Sequence, residues 1–415
     1  MKCLPASVNR HSKVFYPPYK DKNLHIIISL ILTALIGVVT VNPVLPTLAN
    51  ALHIPSEQIG LVIAAFVIPV TIGVPIFGIL ADRIGRKKVI IPSLLVFAIA
   101  GILCSTAQDF RALLEWRFLQ GVGSASLELL ALTLIGDLYK GERVIPAMAF
   151  LASTIGVSTT VFPLLGGALA ELNWRLVFLL PLVAVPLALL VLTTLKLPPQ
   201  PEVTEKFSLK DYAKETWSSI NNVQVLGLLL AVVCVFMLQF GPCFIYIPVF
   251  AGTVLHARGE IIGVLLAGMQ VFLAIFASQL GVLSRKLSEA TMIKIAFGLF
   301  AIAFLMVPLI TNIWILLIPC FLLGAAEALS LPPIRALLTR ISPDQTRAGF
   351  MAANAVSQSL GQALGPILTG IAFKVWGMQG VFYACAGFAL VIVAMLQFFL
   401  SPKRFAASMK PEETY

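Results

Sequence analysis

The chain has 415 residues, of which 59% are hydrophobic and 12% charged, with a formal net charge of +10. A soluble domain carries about 25% charged and about 45–50% apolar residues, so a soluble enzyme, a disordered chain and a secreted globule are excluded. Apolar runs of 18 residues or more point to membrane-spanning helices; a barrel would instead alternate polar and apolar residues over strands of about ten.

Twelve apolar stretches follow in order: 25–49, 57–80, 89–106, 112–138, 144–170, 174–195, 223–250, 261–283, 291–310, 313–338, 347–373 and 379–400. Most reach the ~20 residues that cross ~30 Å of hydrocarbon. The first is too long, and its polar tail too extended, for a cleaved signal peptide.

Basic residues assign an orientation. With the amino terminus in the cytoplasm, 24 Lys and Arg fall on the cytoplasmic side or its helix ends, Arg335 among them. Four fall outside (Arg111, Arg175, Arg258 and Lys374), and Arg117 lies within a helix. This bias predicts both termini inside and an even number of crossings.

The longest polar linker, 197–222, carries Pro198, Pro199 and Pro201 and then the mixed charges of Glu202–Glu215. It reads equally as a solvated tether or as an amphipathic surface helix over 208–220. The expected organisation is a cytoplasmic tail (1–23), a six-helix bundle (24–196), the linker, a second six-helix bundle (223–400) and a cytoplasmic tail (401–415). The two halves repeat in register. At an offset of 203, Gly78 falls on Gly281, Gly121 on Gly324, and Pro163 with Gly167 on Pro366 with Gly370. A shared offset across three helix pairs predicts two bundles about a pseudo-two-fold axis.

The loop after the second stretch reads Gly78-Ile-Leu-Ala-Asp82-Arg83-Ile-Gly85-Arg86-Lys87-Lys88. Its glycines permit close approach and a tight turn, and Asp82 can accept from a helix amino terminus or pair with a base. Gly78, Asp82, Arg83, Gly85, Arg86 and Lys87 form a candidate clasp that holds the halves together in one conformation and breaks in another. A plain basic turn would explain the cations but not the Asp and the glycines.

Few charges lie deep. Arg117 sits within the fourth stretch, where a guanidinium is costly and must face protein. Glu128 is eleven residues further along the same stretch, which on a continuous helix puts both on one face about 16 Å apart. Glu327 is mid-way in the tenth stretch, ahead of Pro332 and Pro333. Glu115 lies nearer a helix end. Such buried acids can carry a proton or meet a cation; otherwise they serve as interhelical hydrogen-bonding groups.

Pro163, Gly166 and Gly167 in the fifth stretch, and Gly365 and Pro366 in the eleventh, weaken helical hydrogen bonding and permit tight contact. They are candidate gating bends. Candidate cavity residues are Asn42, Gln239, Cys243, Tyr246, Gln270, Asn354, Gln358 and Gln362, with aromatic surface from Phe66, Phe236, Phe240 and Phe244. The six cysteines and four histidines show no metal spacing, and no phosphate loop of the G-x-x-x-x-G-K-[ST] form occurs. No cofactor is expected, and no enzymatic activity.

The pattern G-x-L-A-D-R-x-G-R-K at Gly78–Lys87 and Arg117-Phe-Leu-Gln120-Gly121-Val-Gly123 resemble two motifs of the major facilitator superfamily, in its twelve-helix drug:proton antiporter branch. A third motif of that branch, G-P-x-x-G-G, is matched with Phe162 in place of its first glycine. The first stretch also lacks the acid that some relatives place there. The resemblance implies an all-α fold of twelve transmembrane helices in two pseudo-symmetric six-helix bundles, with the fourth and tenth helices lining the cavity. It implies proton coupling through Glu128, Glu327 and Arg117. The expected activity is proton-driven export of small amphipathic compounds, cations included, by a monomer in the cell inner membrane. The expected partners are a small-molecule substrate, protons and the lipid bilayer, and no nucleic acid. A uniporter or proton symporter for a sugar, organic acid or other metabolite is the alternative, and a non-transporting receptor a more distant one.

Overall fold

In lipid a backbone can satisfy its polar groups only within its own helix, and this chain does so almost throughout. The computed structural model describes residues 21–139, 143–195, 223–341 and 347–399. The linker, most of the amino-terminal tail and the carboxy-terminal tail of the expected organisation lie outside these. The described chain is all helical, with eleven segments long and apolar enough to cross a membrane. They are α1 (Lys22–Ala51), α2 (Leu61–Ile84), α3 (Arg86–Thr106), α4 (Phe110–Leu138), α5 (Val144–Leu172), α6 (Trp174–Thr193), α7 (Val223–Thr253), α8 (Gly259–Leu283), α9 (Glu289–Leu309) and α10 (Ile313–Ile341). The last, α11 (Arg347–Phe399), consists of two helices joined at a kink, where Gly377 has φ 68°. At 53 residues it would run about 80 Å if straight, far beyond one crossing. The expected eleventh and twelfth stretches are thus its two arms.

Local chemistry sets the ends. The carboxylates of Asp21 and Asp109 accept from the amides of Asn23 (2.9 Å) and Ala112 (2.8 Å) at the starts of α1 and α4. Asn173, Ser288 and Asn312 cap α6, α9 and α10 in the same way. Gly85 joins α2 to α3 at φ 99°, a backbone geometry that a side chain would strain. Proline-bearing 3₁₀ turns bend α1 at Asn42–Val44 and α6 at Leu180–Val183. Large aliphatic side chains such as Ile145, Leu172, Leu189 and Leu192 are exposed on the outside of the helices, as a lipid-facing surface requires.

Glycines set how closely the helices pack. A Cβ at Gly121 of α4 would land on the carbonyl oxygen of Phe66 in α2. A Cβ at Gly324 of α10 would come within 2.5 Å of the Met269 carbonyl oxygen in α8. Gly324 and Met269 stand 203 positions after Gly121 and Phe66. The seams between α1–α6 and α7–α11 repeat in the same manner. Gly60 of the α1–α2 loop meets the Pro366 carbonyl, and Gly263 of α8 meets the Pro163 carbonyl of α5. Gly370 approaches the backbone of Glu57, and Gly167 that of Gly259 and Glu260.

These seam contacts lie at one end of the helices, the end bearing Glu57 and Gly259. Pro46 of α1 packs on Gly252 of α7 at that end as well. The Gly85 end is the basic one. The halves therefore close upon each other away from the basic end.

Candidate transport cavity

Four charges lie deep in the spans, Arg117, Glu327, Glu128 and Arg335, and their surroundings differ. Arg117 is completely buried. Its Nε donates to the Val62 carbonyl of α2 (3.1 Å) and a terminal nitrogen donates to the Gly37 carbonyl of α1 (2.7 Å). The same nitrogen donates to Gln120 Oε1 (2.7 Å). The guanidinium lies over the Phe66 ring at 4.6 Å and faces Phe178 of α6 at 5.9 Å. It ties α1, α2 and α4 together by donating to backbone carbonyls of α1 and α2. Phe66, a candidate cavity aromatic, is the surface on which it rests.

Glu327 is half-buried in α10 and accepts a hydrogen bond from Gln239 Nε2 of α7. Gln239 opens a π-helical turn, Gln239–Tyr246, in which Pro242 lacks the amide that would close a regular turn. The widened turn directs Gln239 towards α10 and brings Cys243 within Coulombic range of Glu327. Sequence reasoning missed this turn, although Gly241-Pro242 within a helix was its signal.

Glu128 and Arg335 have no such partners. Both are exposed although they lie in spans. They belong to opposite halves and lie within Coulombic range of each other, yet farther apart than the 4.0 Å of an ion pair. Two opposite charges thus face each other across the two halves. Glu128 is ten residues from the Leu138 end of α4 and Arg335 six from the Ile341 end of α10, about 15 Å and about 9 Å from the basic end. Arg335, grouped by sequence with the orientation charges, thus faces the opposite half. Arg117 and Glu128 meet different surroundings: Arg117 is buried against α1 and α2, Glu128 is exposed, and a turn at Ala125–Ser126 lies between them.

The other candidate cavity residues divide. Asn42, Gln239, Gln270 and Asn354 are buried; Gln358 and Gln362 are half-buried along α11. Oδ1 of Asn42, Oδ1 of Asn354 and Oε1 of Gln239 have no hydrogen-bond partner. Tyr246 is fully buried elsewhere, stacked on Phe373 and donating to the Ser56 carbonyl (3.4 Å) in the seam. Phe236, Phe240 and Phe244 form a row, with ring centres 6.3 Å and 5.4 Å apart. Glu115 is exposed and pairs with Arg111 at 3.1 Å on its own helix.

A family model described as Major Facilitator Superfamily matches residues 27–310 and 253–414. The chain belongs to that superfamily. The transporter is 27% identical over 382 residues to "Multidrug resistance protein 2" of Bacillus subtilis (strain 168), covering 89% of this chain and 91% of that protein. It is also 27% identical over 364 residues to "Multidrug resistance protein 1" of the same organism, covering 86% and 91%. Its fold matches the crystal structure of a bacterial homolog of the human lysosomal transporter Spinster in an inward-facing, unoccupied conformation. That match has a TM-score of 0.79 at 18% identity, covering 96% of this chain and 100% of the other. The protein is accordingly a secondary-active transporter that moves small solutes across a membrane, not an enzyme.

The transporter's candidate clasp makes its ion pair within one half. Arg86, buried at the start of α3, pairs with Asp137 at the end of α4, and Asp82 lies within Coulombic range of Arg86. Lys87 Nζ donates to the Leu192 carbonyl of α6 at 3.5 Å. A Cβ at Gly78 would touch Leu129 of α4 at 3.2 Å. The motif thus joins the basic ends of α2, α3, α4 and α6; Asp82 and Arg83 stay exposed. At the opposite end a cross-half contact appears that the sequence did not flag. Glu171 of α5 accepts from the Gly259 amide (2.5 Å) at the start of α8, a helix with no side-chain cap of its own. The position 203 residues after Glu171 is Lys374, which is exposed, so the two seams differ here.

Proposed function

We propose that this transporter exports small amphipathic compounds, cations included, in exchange for protons by alternating access. The observation that carries the reading is the pairing of a seam closed at the Glu57 end with charged, water-accessible side chains, Glu128 and Arg335, exposed between the halves. Counting the arms of α11 separately gives twelve crossings, read as two six-helix bundles about a pseudo-two-fold axis. The repeated glycine contacts support that reading. By the positive-inside rule the basic end is cytoplasmic, so the conformation is inward-facing, in a monomer of the cell inner membrane with both termini inside.

Glu128 and Glu327 are the proton-exchanging acids. A carboxylate that alternates between a proton and a cationic substrate links the two flows, because the two cannot bind it together. Arg117 acts on this exchange by holding α1, α2 and α4 in register. Pro163, Gly166, Gly167, Gly365 and Pro366 supply the bends about which the halves rock. Asp82, Arg83 and the Arg86–Asp137 pair bias which end is closed. The likeness to two multidrug resistance proteins of Bacillus subtilis supports multidrug efflux.

The test is uptake into proteoliposomes under an imposed pH gradient, with a fluorescent amphipathic cation as probe. Gradient-driven uptake is expected, with coupling abolished by Glu128→Gln or Glu327→Gln. Uptake indifferent to the gradient rejects antiport and leaves facilitated diffusion. The second reading, proton symport of an organic acid, draws on the free guanidinium of Arg335, and co-directional movement of protons and solute would establish it.

A further inference from the structure

Of the four deep charges Arg117, Glu128, Glu327 and Arg335, two are held by hydrogen bonds and two are not. Arg117 donates to two carbonyls and an amide oxygen, and Glu327 accepts from Gln239. Among the described residues, the side chains of Glu128 and Arg335 make no hydrogen bond and no ion pair within 4.0 Å. A charge within a membrane span is costly to keep, and an unpartnered one more so. The structure keeps one of each sign, exposed to the same cavity, one on α4 and one on α10.

Placing opposite charges on opposite halves without joining them leaves a gap between a carboxylate and a guanidinium. A ligand group occupying that gap meets an acceptor on one side and a planar five-donor fork on the other. A plain cation would satisfy Glu128 but meet repulsion from Arg335. A plain anion would meet the reverse. A molecule bearing both an ammonium and a carboxylate or phosphate neutralises both walls at once and spans the two halves.

We propose that Glu128 and Arg335 form a two-point recognition site for zwitterionic amphipathic compounds, the ammonium held by Glu128 and the acidic group by Arg335. This rests on the reading of the cavity as the substrate site and narrows the substrate class proposed for it. Because each charge belongs to a different half, a bound zwitterion draws the halves together at the basic end, the motion that alternating access requires.

The experiment measures binding to the full-length protein in lipid nanodiscs with three fluorescent probes that differ only in charge. They are Nε-dansyl-lysine (a zwitterion), its methyl ester (a cation) and its Nα-acetyl derivative (an anion). The wild type is expected to bind the zwitterion about tenfold more tightly than either relative, roughly the worth of one charge-assisted hydrogen bond. Arg335→Gln is expected to weaken the zwitterion and the anion and spare the cation. Glu128→Gln is expected to weaken the zwitterion and the cation and spare the anion. Arg335→Lys, which keeps the charge, should retain the zwitterion preference and shows that the position tolerates change. A wild type that binds the ester as tightly as the zwitterion overturns the proposal. So does an Arg335→Gln variant that weakens all three probes equally. The pH-gradient assay with the cationic ester is read separately: gradient-independent flux with zwitterion-selective binding rejects proton antiport and leaves the recognition site standing.

Discussion

Replacing Arg117 by Met keeps an unbranched apolar stem and removes every donor. In the wild type those donors hold the Val62 and Gly37 carbonyls and Gln120 Oε1 at 3.1, 2.7 and 2.7 Å. Hydrogen bonds between membrane helices average about 0.6 kcal/mol and reach about 1.7 kcal/mol, so the two to α1 and α2 give about 1–3 kcal/mol. The lost cation–π contact with Phe66 at 4.6 Å adds about 0.5–2 kcal/mol. The upper part of that range is expected because the residue is completely buried and no water replaces the lost donors. The assay is the free energy of unfolding in SDS–detergent mixtures. Arg117→Lys should recover only part of the loss, since an ammonium is compact and lacks the fork that reaches two helices at once. If Arg117→Met lowers stability by less than ~0.5 kcal/mol, the guanidinium does not tie the three helices, and other contacts must hold them in register. A normal stability accompanied by lost proton coupling would shift its role to the transport chemistry itself.

Other outcomes follow from the seam and the α4 end. Glu171→Ala removes the carboxylate that caps α8 from across the seam; a cap is worth about 1 kcal/mol, so the closed Glu57 end should lose about fivefold in population. Spin-label distances between α5 and α8 report this, and an unchanged distribution would refute the latch. Gly263→Ala places a Cβ 2.5 Å from the Pro163 carbonyl and should part the same seam, whereas Gly281→Ala, with nothing within 4 Å, should not. Cysteine accessibility at the Glu57 end separates the two; equal labelling in both variants would count against the seam. Tyr139, just beyond α4, donates to Asp21 Oδ2 at 2.6 Å. Burial first, and then this bond, pushes its phenol above the ordinary value of 10.0. The folded protein therefore holds that proton more tightly than the unfolded chain does. The resulting stability is complete below pH 10 and declines as pH rises towards the raised value. The stability difference between wild type and Tyr139→Phe should stay constant from pH 7 to 10 and shrink above; a difference that grows above pH 10 would contradict the assignment.

Much of the architecture was legible because lipid imposes simple rules. An apolar stretch of sufficient length has little option but to be a helix, so spans such as Val144–Leu172 and Gly259–Leu283 lie close to where the sequence placed them. The internal offset was legible because a glycine that admits a neighbouring backbone cannot be exchanged freely, and Gly121 with Gly324, and Pro163 with Pro366, occupy repeated contacts. Charge within an apolar stretch was equally visible, and it drew attention to Arg117, Glu128 and Glu327.

Which partner each charge meets was not legible, because partners come from helices far away in the chain. Arg117 finds Gly37, 80 residues distant, and Val62, 55 distant; Glu327 finds Gln239, 88 distant. A strict helical count put Glu128 on Arg117's face, but an interrupted turn and the packing against α1 and α2 separated their environments. Arg335 read as an orientation charge since it lies near a helix end, and only the apposition of α4 and α10 turns it towards Glu128. Asp137 and Glu171 gain their partners only where the fold brings Arg86 and the start of α8 to them. The sequence alone determined the solvent, the helices and the repeat, because these depend on composition and near neighbours along one chain. The tertiary structure decided which charges are neutralised and which remain free in the cavity, because an electrostatic partner is set by distance in space and not by position in sequence.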